Sequence, residues 1–279
     1  MSFDFSAKPE LRGLARVAGA LQAVTAPLGV EFFLVGAAAR DLVLRHAHGI
    51  EAPRATEDVD FAVMVRDWRV YDALRTALIA SGAFSARPGP ATHRLRHTSG
   101  LPLDIVPFGG VERADRTIAW PPEYSTVFDC FGVAEAFAAS IAVRLPDSVE
   151  VRVAPIAAQA VLKLFAWQDR KYTHPGRDAQ DLLLFLGRYM DCGNFGRATS
   201  EHQDLFEAED FDYAEAGVRL LARDIAPLIG RAGIKRSLTI LMPEADEAGP
   251  LLLAQQSRLD LERARRLIEV LCDELAGGM

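Results

Sequence analysis

Apolar positions along the 279-residue chain change their spacing several times, and each change marks a new element. Residues 11–24 repeat apolar positions three and four apart, which predicts a helix ending before Pro27. Residues 30–35 form a short apolar run that reads as a strand. Gly36 then opens AAARDLVLRHA, where the helical period returns. After a loop marked by Pro53, residues 59–65 read as a strand, and Asp67 stands where a cap is expected before an amphipathic helix over 68–80. Residues 93–97 and 101–108 read as strands joined by a Ser99-Gly100 turn, with Gly109-Gly110 ending the second. The stretch through Trp120, Pro121 and Pro122 reads as loop or short edge structure. A short helix over 133–139 and two strand-like runs, IAVRL and VEVRVA, follow.

From Pro155 the period is helical almost to the end. The runs 156–168, 177–189, 213–228 and 259–275 are long enough to pack as a bundle, with the acidic stretch 205–212 and PEADEAGP as solvated connections. The pattern predicts an α+β protein. A small mixed sheet with flanking helices occupies residues 1–154, and a mainly helical domain occupies residues 155–279.

Composition narrows the class without naming a function. Hydrophobic residues at 50% and charged residues at 25% fit an ordinary globular protein and exclude disordered or collagen-like chains. MSFDFSAKPE lacks a basic region followed by an apolar one, and no run is long and uncharged enough to span a bilayer, so a cytoplasmic protein with no membrane partner is expected. Cys130, Cys192 and Cys272 lie far apart, which suits buried or scattered thiols rather than a zinc site. A formal charge of -7 argues against broad binding of long nucleic acid, while leaving room for a local basic pocket for one nucleotide or one RNA end.

The candidate chemistry lies in three aspartates. Strand alternation puts Asp58 and Asp60 of EDVDFAVMV on one face, with Val59, Phe61 and Val63 on the other. Two carboxylates that close repel each other unless a cation or a set of donors lies between them. Asp104 of LDIVPF alternates with Leu103 and Ile105, so it can project toward the same face if the strands are neighbours. Three oxygen ligands from two strands suit a hard cation, Mg2+ or Mn2+ rather than zinc, and such a site fits phosphoryl or nucleotidyl transfer. The plainer alternative is solvated strand aspartates, since one D-x-D alone is a weak signal. Three acids inside apolar runs weigh against it.

Gly36, at a strand-to-helix junction, permits close approach to backbone N–H groups that can receive a phosphate, or it simply makes a tight turn. His93 and His97 alternate with Arg94 and Arg96. They form either a basic lip for an RNA backbone or triphosphate, or ordinary solvated decoration. Arg170, Lys171 and Arg177 near His174 form a second basic cluster that could equally pair with Asp169, Asp178 and Asp181. Trp68, Trp167 and the phenylalanines are assigned to the core.

Read together, LVGAAARDLVL, RATEDVDFAV and LDIVPF resemble the nucleotidyltransferase superfamily in its polymerase-beta-like form, and most closely the AbiEii/AbiGii toxin-like family. The resemblance places Gly36 and Ala37 at the helix start, Arg54 and Thr56 before Asp58 and Asp60, and Asp104 as the lone later aspartate. LKLFAWQDRKYTHPGRDAQDLLLF resembles the family's lysine and R-x-D helix pair, through Lys163, Arg170, Asp178 and Asp181. Ala37 departs from the family's glycine or serine, removing a hydroxyl while keeping the N–H. Ala-Arg-Asp echoes the tRNA nucleotidyltransferases. That echo makes Arg40 a candidate for the triphosphate or ribose, unless it pairs with Asp41 or Glu57.

The resemblance implies that Asp58, Asp60 and Asp104 are catalytic and hold Mg2+ or Mn2+, and that Gly36, Ala37, Arg40, Thr56, Lys163, Arg170 and Asp178 bind the nucleoside triphosphate. Lys163 would neutralise the β or γ phosphate, or else snorkel on the flank of an apolar helix. The implied activity is transfer of NMP from an NTP to a hydroxyl of tRNA or other RNA, a protein or a small molecule. A toxin-antitoxin or phage-defence setting with a possible antitoxin partner is implied as well. The alternative is a catalytically inactive nucleotide-binding or protein-interaction member of the same fold.

Overall fold

The computed structural model describes residues 2–52, 58–87, 93–207 and 210–278. The chain divides into two compact units, Met1–Ala47 with Arg54–Pro155, and His48–Pro53 with Ile156–Met279. The first unit runs β1 (Ser2–Asp4), α1 (Arg12–Leu28), β2 (Glu31–Val35), α2 (Gly36–Asp41), β3 (Val59–Val65), α3 (Trp68–Ala80), β4 (Phe84–Ala86), β5 (Arg94–His97) and β6 (Pro102–Gly109). It continues through β7 (Thr117–Ala119), β8 (Val127–Asp129), α4 (Val133–Ala138), β9 (Ile141–Arg144) and β10 (Glu150–Val153). The second unit contributes α5 (Ile156–Arg170), α6 (Arg177–Arg188), α7 (Phe195–Glu201), α8 (Tyr213–Ala245), α9 (Leu252–Gln255) and α10 (Leu261–Gly277). The fold is α+β, a mixed sheet flanked by helices and followed in sequence by a helical bundle.

Among the described residues one sheet has eight strands in the order β1-β9-β10-β2-β3-β6-β5-β4, and β7 and β8 form a separate pair. β3 and β6 are parallel, while β2 pairs antiparallel with β3 and β5 antiparallel with β6. β3 buries one apolar face, while its other face carries half-buried Asp60, buried Ala62 and exposed Met64. Val59, Phe61, Val63 and Val65 are all buried, and Phe61 meets Phe32 edge-on. Phe33 and Phe108 close on Phe137 of α4. Tyr71 of α3 donates its hydroxyl to the Ile105 carbonyl at 3.0 Å, tying that helix to β6. Asp67 caps α3 by accepting from Val70 N–H at 2.9 Å, the local signal that starts this helix.

Several boundaries differ from the sequence expectation. α1 passes through Pro27 to Leu28 and closes on Gly29, whose φ of 62 makes the left-handed cap. The helix over 213–228 stops at a break at Gly230, where φ is 59 and ψ is -178, but a further helical segment that was not anticipated continues α8 to Ala245. The PEADEAGP stretch is correspondingly not all solvated connection, since Glu244 is buried and accepts from Leu253 N–H at 2.9 Å. β1 and β4, three residues each, are too short to show a period and were not anticipated. All three cysteines are buried free thiols. No helix among the described residues is long and apolar enough to cross a membrane.

Candidate functional site

Three carboxylates converge on one level of the sheet. Asp60 is the register partner of Asp104 across β3 and β6, and of Val35 across β2 and β3. Asp58 lies just before β3. One ligand oxygen from each of Asp58, Asp60 and Asp104 lies within 4.8 Å of the others, and all three residues are half-buried. Burial raises the pKa of Asp104. Arg94 opposes that rise, Asp58 adds to it, and Arg87 opposes it again. A half-buried cluster of hard oxygen donors whose charges disfavour one another is a setting a divalent cation would stabilise, and the donor set fits Mg2+ or Mn2+.

Gly36 makes the arrangement possible. Its φ is +69, and a Cβ added there would lie 2.1 Å from Oδ2 of Asp60. The missing side chain therefore serves two ends, permitting the left-handed turn into α2 and leaving room for the carboxylate against the helix start. Gly36→Ala is expected to cost about 2–4 kcal/mol from backbone strain and overpacking together. Chemical denaturation should show the loss, and Mn2+ titration should show weakened binding; a variant with wild-type midpoint and affinity would contradict the fit.

β5 closes the far side. Arg94 is the register partner of Asp104, and its Nε lies 3.4 Å from Oδ2 of that residue. His93 Nε2 is 3.9 Å from the same oxygen, and its ring packs on Trp120 at 5.1 Å and Phe128 at 5.9 Å. Burial, with the charge of Arg94 adding, holds His93 down to about 4, so the imidazole is neutral near pH 7. His97 and Leu95 are buried, so of the four polar groups on this strand it is His93 and Arg94 that face the acids. The Arg94–Asp104 pairing was not readable from the turn residues, since a turn centred on Ser99-Gly100 would pair Arg94 with Ile105, whereas the observed register is centred on Ser99. The aromatic seat of His93 had no local signal, because Trp120 and Phe128 reach it only through the β7–β8 pair.

The remaining predicted site residues fall in different places. Ala37 follows Gly36 in the first turn of α2. Arg40 is fully buried and donates through Nε at 2.9 Å and Nη2 at 2.7 Å to Oδ1 of Asp41, an interior pair where a surface one was the sequence-based alternative. Arg54, Thr56 and Glu57 lie outside the described residues.

Lys163, Arg170 and Asp178 belong to the second unit. Lys163 does not snorkel. It is buried, with Nζ 3.1 Å from Asp178 Oδ1 and 2.6 Å from Asp181 Oδ2. Arg170 grips Asp178 with Nε to Oδ2 at 2.6 Å and Nη2 to Oδ1 at 2.9 Å. Lys171 instead lies over the Trp167 ring at 4.7 Å, and Trp167 is core. Asp178 and Asp181, three apart on α6, present both carboxylates to one side of the helix, and it was the resemblance to the family's helix pair that pointed to Asp181.

Burial would push Asp178 up, but the Arg170 hydrogen bonds and the Lys163 charge overcome it and hold the carboxyl at about 2. A depressed carboxylate contributes stability that is complete above its unfolded pKa, about 4, and is lost as pH falls through the folded value. Denaturation midpoints are thus expected to fall between about pH 4 and pH 2, by an amount on the order of 2 kcal/mol. Asp178→Asn should flatten that part of the profile, and an unchanged profile would remove Asp178 as its source.

The family model for "nucleotidyl transferase AbiEii toxin, type IV TA system" matches residues 19–249, well over half of the chain. The protein belongs to this AbiEii family. Its fold is that of the nucleotidyltransferase superfamily, and the matched span contains Gly36, all three aspartates and the Lys163–Asp178–Asp181 network. No curated protein matches the chain.

Among solved structures, an antigenic nucleotidyltransferase-like protein from Paracoccidioides brasiliensis is similar at 17% identity, with 69% of this chain and 90% of that one covered and a TM-score of 0.41. The antibiotic-resistance factor ANT(2'')-Ia is similar at 10% identity, with 70% and 96% covered and a TM-score of 0.36. The Thermotoga maritima CCA-adding enzyme complexed with tRNA is similar at 13% identity, with 97% and 81% covered and a TM-score of 0.26.

Proposed function

We propose that this AbiEii-family protein is a magnesium-dependent nucleotidyltransferase that moves NMP from an NTP to a hydroxyl. The observation that carries the reading is the meeting of Asp58, Asp60 and Asp104 within 4.8 Å, beside a glycine turn that only glycine can make. A divalent cation held by these residues would neutralise phosphate charge and lower the pKa of the attacking hydroxyl. The chain's own groups do the rest. The backbone N–H groups at Gly36 and Ala37 are the proposed cradle for the phosphates. Asp58 and Asp60 hold the reacting end, and Asp104 is the proposed acceptor of the hydroxyl proton. The acceptor oxygen bonds to the α-phosphorus as the bond from that phosphorus to pyrophosphate breaks, and pyrophosphate leaves.

The phosphate roles of Lys163, Arg170 and Asp178 rest on the sequence resemblance. Within the second unit, Asp178 holds both cations in fixed positions, which supports reading it as their positioning residue. The family description names a toxin of a type IV TA system, and we extend that setting to this chain: a toxin-antitoxin or phage-defence component acting on RNA, protein or a small molecule. Ala37, where the family pattern has glycine or serine, favours a second reading, a member that binds nucleotide without turnover.

Incubation with each labelled NTP, Mg2+ and a total RNA or lysate fraction tests the choice. A labelled adduct from the wild type, lost in Asp58→Ala/Asp60→Ala, is the expected result. No adduct, or equal labelling by the variant, would sink the enzyme reading.

A further inference from the structure

Arg94 bears on the chemistry of the acceptor, on the basis of the transfer reading proposed above. Val35, Asp60, Asp104 and Arg94 are register partners across the adjacent strands β2, β3, β6 and β5. The row has a direction: the Gly36 turn, the proposed seat of the triphosphate, follows Val35 at one end, the acids occupy the middle, and Arg94 stands at the other. Entering and leaving oxygens lie roughly in line on opposite sides of the phosphorus. A triphosphate seated toward Gly36 therefore sends pyrophosphate out on that side and leaves the Arg94 side for the incoming hydroxyl.

Arg94 is built to meet something there. Its side chain is 49% exposed, whereas that of Asp104, its ionic partner among the described residues, is 14% exposed. The contact runs through Nε, and a guanidinium offers five donors in a planar fork suited to phosphate oxygens. Arg87, whose N–H donates to the Arg94 carbonyl at 3.3 Å, adds a second positive charge close enough to act on Asp104. On a chain of net charge -7 this end of the row is a local exception. A polycationic acceptor brought here would meet like charge. A hydroxyl compound with a phosphate beside the hydroxyl would meet paired donors.

We propose that Arg94 is a specificity-determining residue that binds a phosphate adjacent to the acceptor's hydroxyl, so that the acceptor is a phosphate-bearing compound rather than a polycationic small molecule. Arg94 takes no proton in the step. It holds the acceptor while the new oxygen–phosphorus bond forms and the hydroxyl proton passes to Asp104.

Binding can be read without turnover. Metal-free protein in EDTA is titrated against a short fluorescent ribo-oligonucleotide with a free 3′ hydroxyl, followed by anisotropy, with a nucleoside monophosphate and an aminoglycoside as competitors. Arg94→Gln is expected to weaken oligonucleotide binding roughly tenfold to a hundredfold, the worth of a charge-assisted hydrogen bond. The slope of log affinity against log salt should fall by about 0.7, one single-strand phosphate contact. Arg94→Lys should recover part of the loss, and binding of a fluorescent NTP analogue should be unchanged.

Competition by the monophosphate would identify a free nucleotide as the phosphate source, and its absence an oligonucleotide end; both support the assignment. Wild-type affinity and slope in Arg94→Gln, no binding of either phosphate probe, or displacement by the aminoglycoside alone would overturn it. If Arg94→Gln loses the oligonucleotide while the wild type labels no acceptor, the transfer reading fails and the phosphate site stands. If transfer proceeds and Arg94→Gln keeps the acceptor KM, the Arg94 assignment fails alone.

Discussion

Asp58→Asn, Asp60→Asn and Asp104→Asn are each expected to lower nucleotidyl transfer by about a hundredfold or more, since removing a ligand forfeits several kcal/mol of transition-state charge stabilisation and each 1.36 kcal/mol is about tenfold. Their effects should not multiply, because three ligands of one site act as a unit. A second measurement separates loss of a site from loss of a fold. Wild-type protein should melt several degrees higher in saturating Mn2+, because a ligand at a hundred times its Kd adds about 2.7 kcal/mol to the state that binds it. The asparagine variants should show no Mn2+ shift, and should melt no lower than the metal-free wild type, because each removes one of three mutually repelling charges. A Mn2+ shift that persists in all three variants would mean that the cation binds elsewhere.

Lys163→Ala is expected to have the largest effect on stability. It leaves Asp178 and Asp181, both fully buried, without the ammonium that lies 3.1 and 2.6 Å from them. Breaking a buried ion pair from one side typically costs about 3–5 kcal/mol, because the remaining charge cannot be resolvated. Asp178→Asn/Lys163→Met should recover part of that loss, and a double-mutant cycle measures how much. Stability unchanged in Lys163→Ala would show that the network does not hold the bundle. The same numbers govern how activity data on Lys163 are read. A dead Lys163→Ala speaks for phosphate chemistry only at temperatures where the variant is demonstrably folded.

Much of the first unit was legible because its signals are local. The cap at Asp67 and the apolar run of β3 each depend on neighbours within a few residues and appear where their patterns placed them, and a hairpin turn does join β5 to β6, with its register centred on Ser99. The first part of α8 was legible up to the break at Gly230, while the helical segment that follows it to Ala245 was missed. Lys163 was read as a phosphate ligand or a snorkelling side chain, and its burial against two carboxylates was not foreseen. The three-residue spacing of Asp178 and Asp181 brings both to it, but only once α6 packs against α5.

The sequence by itself determined that Asp60 sits in an apolar strand with Asp58 two residues before it, that Asp104 interrupts another apolar strand, and that Gly36 stands at a strand-to-helix junction. Those facts follow from the two-residue period of a strand and the conformational freedom of glycine. Only the tertiary structure decided that β3 and β6 are neighbours in parallel register, which sets Asp60 beside Asp104, and that the space where a Gly36 side chain would be is filled by the Asp60 carboxylate. It also set Arg94 at the end of that row. Strand order depends on how whole faces bury against one another, and no window of sequence contains both partners of a pairing between β3 and β6.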